Sequence, residues 1–423
     1  MVLPEEFLNR MKYLPDFDEF VLSYDKPPES AFRINTRKMD CFTGELKKGD
    51  RVEWCKNGYY TAKSVYSGTH PYHMTGLFYF QEPSAMCAAE LFEFKKGDFV
   101  LDLCAAPGGK STQIADNRDI VLVSNEIIPK RCSVLSENIE RMGYENVMVA
   151  NESPDRLSEM FEEFFDKIII DAPCSGEGMF KKEPAAVEAW SVSHVLSCSM
   201  RQKKIIDSAM KMLCTGGEIV YSTCTFSKEE NEENAKYIAE KYPYMEIIKS
   251  VRIYPHRSRG EGHYAVLLRD KREKTPAERS AFNGKKRAAD GEKAYREFEK
   301  KYLNVRLSGD FVMFGDKLYL KKEYLPIDKI KLSRPGLHLG ICKKGRFEPA
   351  YALSHYLKKE DFKNSVDFSC DDENVKKYLS GEVIPGDFVG YGAVCCDGLP
   401  LGWVKGSGGM LKNHFPKGLR LLR

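Results

Sequence analysis

Between Phe99 and Leu268 the chain alternates short apolar runs with stretches of helical periodicity, and that rhythm admits few folds. Phe99 to Leu103 reads as a buried strand, followed by a helix from about Gly108. Val121 to Ser124 reads as a second strand, whose helix has Pro129 near its start and Gly143 just past its end. Asn146 to Val149 is a third strand, and Lys167 to Ile170, ending at Asp171, a fourth. A helical pattern from about Met200 to Leu213 stops at Thr215-Gly216-Gly217. Glu218 to Tyr221 is a fifth strand, Glu229 to Lys241 a helix, and Met245 to Ile248 and His263 to Leu268 close the region. The fold class is α/β: a mostly parallel, seven-stranded sheet with helices on both faces.

A chain of 423 residues is long for one core, and the flanks differ in character. Residues 1–90 read as a small α+β unit, with a helix near the start and strands near Phe32-Arg33-Ile34-Asn35. Residues 91–269 form the sheet domain. Residues 270–305 are a charged linker running from Arg272-Glu273-Lys274 through Lys285-Lys286-Arg287 to Lys300-Lys301. One amphipathic helix, about Ala294 to Tyr302, reads there as a solvated surface helix. Residues 306–423 read as a separate β-rich domain, with turns such as Ser333-Arg334-Pro335-Gly336.

No apolar run approaches the ~18 residues of a membrane helix, and Met1 to Glu6 does not resemble a signal peptide. A cytoplasmic protein with no membrane partner is expected. The 13 cysteines contain no C-x-x-C spacing, which argues against a zinc ribbon or a redox pair, so free thiols and no metal are expected. Nothing suggests a coiled coil, and a monomer is expected.

The first strand runs into Cys104-Ala105-Ala106-Pro107-Gly108-Gly109-Lys110, a small-residue turn before a helix. Such a turn lets a ligand approach the backbone amides. A phosphate-binding Walker loop would need Gly where Cys104 stands, and G-x-G-x-x-G is absent. About 20 residues on, the second strand ends at Asn125-Glu126, where a carboxylate is placed to accept two ribose hydroxyls. Adenosine without pyrophosphate is consistent with S-adenosylmethionine.

The fourth strand ends in Asp171-Ala172-Pro173-Cys174-Ser175-Gly176 and the fifth in Tyr221-Ser222-Thr223-Cys224-Thr225. Both thiols therefore lie at the carboxyl edge of the sheet, where such folds bind ligands. Methylation at carbon 5 of cytosine gives the pair a purpose. A thiolate adding at carbon 6 makes the ring an enamine, while ring nitrogen 3 needs a proton or a strong hydrogen bond. Asp171 is the available acid, but a free Asp is ionised at pH 7. To donate, it must be desolvated or take its proton from the substrate. A thiol with pKa ~8.5 is a few per cent thiolate at pH 7, and moving it to ~7 raises that fraction roughly tenfold. Lys110 can supply part of the field. The second cysteine then removes the carbon 5 proton or assists release of the adduct.

The set from Leu101 to Lys110, Asp171 to Gly176 and Tyr221 to Phe226 resembles the Sun (NSUN-type) RNA cytosine-5 methyltransferases. Gly176-Glu177-Gly178-Met179-Phe180, Gly260-Glu261-Gly262-His263, Gly402-Trp403 and Lys412 to Arg420 are similar to the bacterial 16S rRNA branch, the RsmF type. The resemblance implies a Rossmann-like methyltransferase domain and a C-terminal PUA-like module. It implies Cys224 as the attacking nucleophile and Cys174 as the residue that assists release. It implies cofactor contacts from Cys104, Ala105, Ala106, Pro107, Gly108, Gly109, Lys110, Glu126 and Asp171. Relatives often carry Asp after the third strand, near the adenine. Here Asn151-Glu152-Ser153 stands there, and either Asn151 or Ser153 fills the role.

The implied partner is RNA, small-subunit rRNA or the 30S subunit, and no DNA. A base that must leave its stack is most accessible in single-stranded or loop RNA. Phe180, Lys181 and Lys182 either steer the flipped nucleotide or form a solvated loop. Lys405, Lys412, His414, Lys417 and Arg420 lie on one C-terminal stretch, whereas Trp403 and Phe415 read as core. With a net charge of only +3, RNA affinity is expected to be local and salt-dependent. The rival readings are the same chemistry on tRNA, methylation of an exocyclic amine, and an RNA-binding assembly factor. Exocyclic-amine enzymes carry Pro-Pro after the acid, against Ala172-Pro173 here.

Overall fold

Ile168, Ile169 and Ile170 are all fully buried, as a strand covered on both faces requires. They belong to the central sheet of the computed structural model, which describes residues 2–62, 64–273, 291–321, 330–343 and 346–421. An N-terminal antiparallel sheet comes first, with β1 (Ala31–Ile34) between β2 (Gly58–Tyr60) and β3 (Phe78–Phe80). The central strands are β4 (Phe99–Asp102), β5 (Val121–Asn125), β6 (Val147–Ala150), β7 (Phe165–Asp171), β8 (Leu213–Thr223), β9 (Met245–Ile253) and β10 (His263–Asp270). Their order is β6-β5-β4-β7-β8-β10-β9. β6 to β8 run parallel, and β10 and β9 antiparallel. The strand order reverses at β4, so the ends of β4, β5, β7 and β8 open onto the crevice where such sheets bind ligands.

Among the described residues the sheet has eight strands rather than seven. The C-terminal region supplies β11 (Asp310–Phe314), β12 (Lys317–Lys321) and β13 (Leu332–Arg334), and β13 pairs antiparallel with β6. Its sequence is short, polar and next to a turn, so it carries no strand pattern. What fixes it is the open edge of β6 and Arg334, which is 1% exposed. The Arg334 guanidinium donates to the carbonyls of Tyr144 at 2.8 Å and Val147 at 3.2 Å.

The remaining C-terminal strands are β14 (Leu337–Lys343), β15 (Arg346–Pro349), β16 (Ser365–Phe368), β17 (Ile384–Pro385), β18 (Gly390–Cys396), β19 (Leu399–Ser407) and β20 (Met410–Asn413). They make two sheets, β11-β12-β14-β15 and β16-β18-β19-β20-β17. The helix Glu292–Tyr302 is not a solvated surface helix. It buries Tyr295 and Phe298 in one core with Leu318, Leu337 and Trp403. The basic residues Lys274 and Lys285 to Arg287 lie outside the described residues. A second shared core joins Phe32 and Phe78 of the N-terminal sheet to Val394, Leu401 and Phe415. The flanks thus pack on each other and on the central sheet. No helix among the described residues is long and apolar enough to cross a membrane.

Candidate active site

A cavity of about 940 Å³ opens at the carboxyl edge of the sheet. Its lining includes Asp102, Cys104 to Pro107, Gly109, Lys110, Glu126, Ser153, Asp171, Cys174, Cys224 and His263. The loop after β4 owes its shape to its small residues and to side chains that tie down its carbonyls. Arg131 donates to the Ala106 carbonyl at 2.8 Å, Asn138 to Pro107 at 2.9 Å and buried Arg33 to Gly109 at 2.7 Å. Gly108 does not line the cavity. It turns the chain with φ +114°, and a Cβ there would lie 3.1 Å from Leu135 Cδ1.

Asp102 sits behind this loop with no exposure. Its Oδ2 accepts from Ser111 Oγ at 2.6 Å, while the buried Oδ1 has no hydrogen-bond partner among the described residues. Burial pushes the carboxyl up to about 7. A buried acceptor left bare costs about 1–3 kcal/mol, so this oxygen calls for a donor from the cavity. Glu126, 3% exposed, accepts from the Ile128 amide at 2.9 Å and faces Arg131 at 3.4 Å.

Of the two candidates near the adenine, only Ser153 lines the cavity, and its Oγ accepts from the Arg156 amide to cap the helix Pro154–Ser158. Asn151 turns away. Its amide donates to the carbonyls of Glu126 at 2.7 Å and Ile127 at 3.0 Å, so it holds the segment that carries Glu126.

At the other end, Cys174 Sγ and Cys224 Sγ are 3.3 Å apart. The hydrogen bond to Cys224 and burial both hold the Cys174 thiol well above its ordinary pKa. Cys174 therefore keeps its proton, and either sulfur can act as the donor in the pair. Lys110 Nζ lies 2.8 Å from Asp171 Oδ2, and Ser222 Oγ donates to Oδ1 at 3.1 Å. Burial raises the Asp171 carboxyl, but Lys110, His263 and Ser222 outweigh it and hold it below the usual range. Burial likewise opposes the Lys110 charge, and Asp171 more than restores it. The pair is ionic, so Asp171 is an acceptor rather than the proton donor that the sequence suggests.

Several supporting residues escape a sequence reading. Glu177, 1% exposed, accepts from Trp190 Nε1 at 2.9 Å, Thr225 Oγ1 at 2.8 Å, the Phe226 amide at 2.7 Å and Ser227 Oγ at 2.7 Å, which fixes the loop after Cys224. Glu230 accepts from the Ser175 amide at 3.1 Å and Gln202 Nε2 at 2.7 Å behind Cys174. Gly176-Glu177-Gly178 is visible as a motif, but nothing in the sequence marks Glu177 as buried. Phe180 is unavailable to a nucleotide, since it is fully buried and packs edge-on against Phe7 at 5.1 Å. Lys181 is tied to Glu261 at 2.9 Å. Trp403 and Phe415 are core residues, each 2% exposed. Among the described residues one group of metal-type donors occurs, Cys370, Cys396 and Asp397. There Asp397 Oδ2 already accepts from Tyr72 Oη at 2.9 Å and the Cys370 amide at 3.0 Å.

Four family models match consecutive stretches of the chain. They are the N-terminal domain of 16S rRNA methyltransferase RsmF over residues 3–83 and the 16S rRNA methyltransferase RsmB/F over residues 89–269. The RsmF first C-terminal domain matches residues 297–357 and the RsmF PUA domain residues 363–421. Among solved structures, a methyltransferase homologue from Pyrococcus horikoshii is 25% identical with a TM-score of 0.53, covering 63% of this chain and 100% of that one. NSun6 from the same organism, solved with SFG, shares the fold at 22% identity and a TM-score of 0.54, covering 64% and 99%. Similarity to curated proteins runs the whole length. Ribosomal RNA small subunit methyltransferase F of Shewanella sp. (strain MR-7) is 31% identical over 99% of this chain and 97% of its own. The protein of that name from Vibrio atlanticus (strain LGP32) is 32% identical over the same shares. With all four domain models in order and full-length identity above 30%, the chain belongs to the family of the ribosomal RNA small subunit methyltransferases F.

Proposed function

We propose that the chain methylates carbon 5 of a cytosine in small-subunit rRNA, with S-adenosylmethionine as the methyl donor and a covalent Cys224 adduct at carbon 6. The observation that carries this reading is the pair of thiols 3.3 Å apart that lines the cavity at the carboxyl edge of the sheet. The names of the full-length relatives support the substrate class.

The cavity suits the cofactor on its own chemistry. Asp102 offers an unpartnered buried oxygen and Glu126 a carboxylate at the end of β5. In this reading Cys104 to Pro107, Gly109, Lys110, Glu126, Ser153 and Asp171 hold it, with Gly108 turning the loop and Asn151 placing the Glu126 segment. When bound, it supplies a methyl group on positively charged sulfur.

The rest is done by the chain. The two sulfurs lie within hydrogen-bond reach, so a Cys174 S–H can donate to the Cys224 sulfur as it attacks. That thiolate forms a bond to carbon 6, and the displaced ring electrons move towards nitrogen 3. Carbon 5 thereby becomes nucleophilic. Ionised Asp171 accepts from the exocyclic amine, and the Lys110 ammonium meets the charge driven onto the ring. For release, water in the cavity takes the carbon 5 proton, the electrons of that bond re-form the carbon 5–carbon 6 double bond, and the carbon–sulfur bond breaks to return Cys224 as a thiolate, beside which Cys174 stands.

RNA would also be held outside the cavity. Arg201 and Lys204 line its rim. Lys405 and Lys412 face each other across β19 and β20, both exposed. We read the chain as an RNA-binding monomer with units at 1–90, 91–269, 270–305 and 306–423.

The test is to incubate purified protein with labelled S-adenosylmethionine and small ribosomal subunits, with naked rRNA and tRNA in parallel, and to digest to nucleosides. Label in 5-methylcytidine from small-subunit RNA is expected. Label only in tRNA overturns the substrate class, and no label overturns the activity.

A further inference from the structure

His263 lines the cavity, is 2% exposed, and neither buried ring nitrogen has a hydrogen-bond partner among the described residues. Buried polar groups are normally satisfied, and an imidazole with two bare nitrogens is an exception that calls for a cause. A purely structural residue here would be apolar, like Ala265 and Leu267 on the same strand face, 0% and 6% exposed. The register locates the ring. Tyr264 pairs with Thr223 across β10 and β8, so His263 stands one residue beyond, level with Cys224. Its electrostatic neighbours are Lys110 and Asp171. Burial and Lys110 push its pKa down to about 3, so the ring is neutral and carries one N–H and one lone pair.

The proposed reaction lacks a dedicated donor at nitrogen 3. Asp171 is ionised, and Lys110 is engaged with it at 2.8 Å. We propose that His263 is a further catalytic residue, a neutral imidazole whose N–H donates to nitrogen 3 of the target cytosine as Cys224 adds to carbon 6. A neutral imidazole held below its ordinary pKa is suited to this, because it stabilises developing negative charge without giving up a full proton. Together Asp171 and His263 present an acceptor and a donor, the complement of the amine and nitrogen 3 of cytosine.

The inference rests on the cytosine-5 reading, and its test separates the two. Adduct formation is followed by denaturing gel on RNA carrying 5-fluorocytosine or 5-azacytosine at the target position, with cofactor affinity measured in parallel. The 5-aza ring nitrogen already withdraws charge, so addition to it depends less on a donor at nitrogen 3. His263→Phe is expected to slow the adduct with 5-fluorocytosine by about 100-fold and that with 5-azacytosine by about tenfold or less, with cofactor affinity unchanged. His263→Asn, which keeps an N–H donor, is expected to recover much of the loss. His263→Leu serves the same purpose if Phe is not accommodated. Equal slowing of both bases, or no recovery with Asn, overturns the role of His263. No adduct of the unsubstituted protein with either base overturns the underlying reading, and the inference with it.

Discussion

Glu177 and Asp102 are both buried carboxylates behind the cavity, one beneath the loop after Cys224 and the other beneath the cofactor loop. Glu177 accepts four hydrogen bonds, all from its own chain. Asp102 accepts one and leaves an oxygen bare. The contrast separates scaffold from binding site. A buried polar group satisfied from within holds shape, whereas one left unsatisfied is waiting for something from outside. Asn151 falls on the Glu177 side of that division and His263 on the Asp102 side.

The comparison can be broken at several points. The largest effect is expected at the element Glu177 supports. Cys224→Ala should reduce methyl transfer by roughly 10⁴-fold or more, with cofactor affinity unchanged, as measured by single-turnover assay and calorimetry. Glu177→Gln puts an amide against two of its four donors. It should lower kcat by roughly 10 to 100-fold and reduce thermal stability while leaving the cofactor Kd unmoved. A change in Kd of similar size would erase the distinction between the two carboxylates.

Asp102→Asn should do the reverse, weakening cofactor binding by roughly tenfold at pH 8. The sign of the pH dependence follows from the raised carboxyl, at about 7. Below that value Asp102 is protonated and a poor partner for a cation. Cofactor affinity should therefore fall as pH drops from 8 to 6, by up to about tenfold per pH unit below 7, and Asp102→Asn should abolish the slope. The smallest effect belongs to Asn151→Ala. Losing two bonds to the Glu126 segment should raise the cofactor Kd roughly two- to fivefold, with kcat at saturation unchanged.

Much of this was legible in the sequence where a single physical rule acts locally. The strands of the central sheet follow from apolar runs, and both cysteines follow from standing at strand ends. β13 was not legible, because Leu332-Ser333-Arg334 is a strand only by courtesy of the open β6 edge and the buried Arg334. The helix Glu292–Tyr302 is legible as amphipathic, but its heavy charge gives no sign that a neighbouring sheet covers the apolar face and buries Tyr295 and Phe298. By position in the chain, either Asn151 or Ser153 suits a ligand contact. Only the direction of the Asn151 amide, towards the Glu126 and Ile127 carbonyls, makes that residue a support. The ionic state of Asp171 escaped for a related reason. It depends on a 2.8 Å contact with Lys110, which comes from the first turn of the helix Gly109–Ala115, 61 residues earlier in the chain.

The central claim is the division of labour between the two thiols, and trapping tests it directly. Cys174→Ala and Cys224→Ala variants would each be incubated with S-adenosylmethionine and substrate RNA, denatured and examined for a covalent protein–RNA species. The account predicts that Cys174→Ala accumulates the adduct and Cys224→Ala forms none. An adduct with Cys224→Ala and none with Cys174→Ala would reverse the two roles and contradict it.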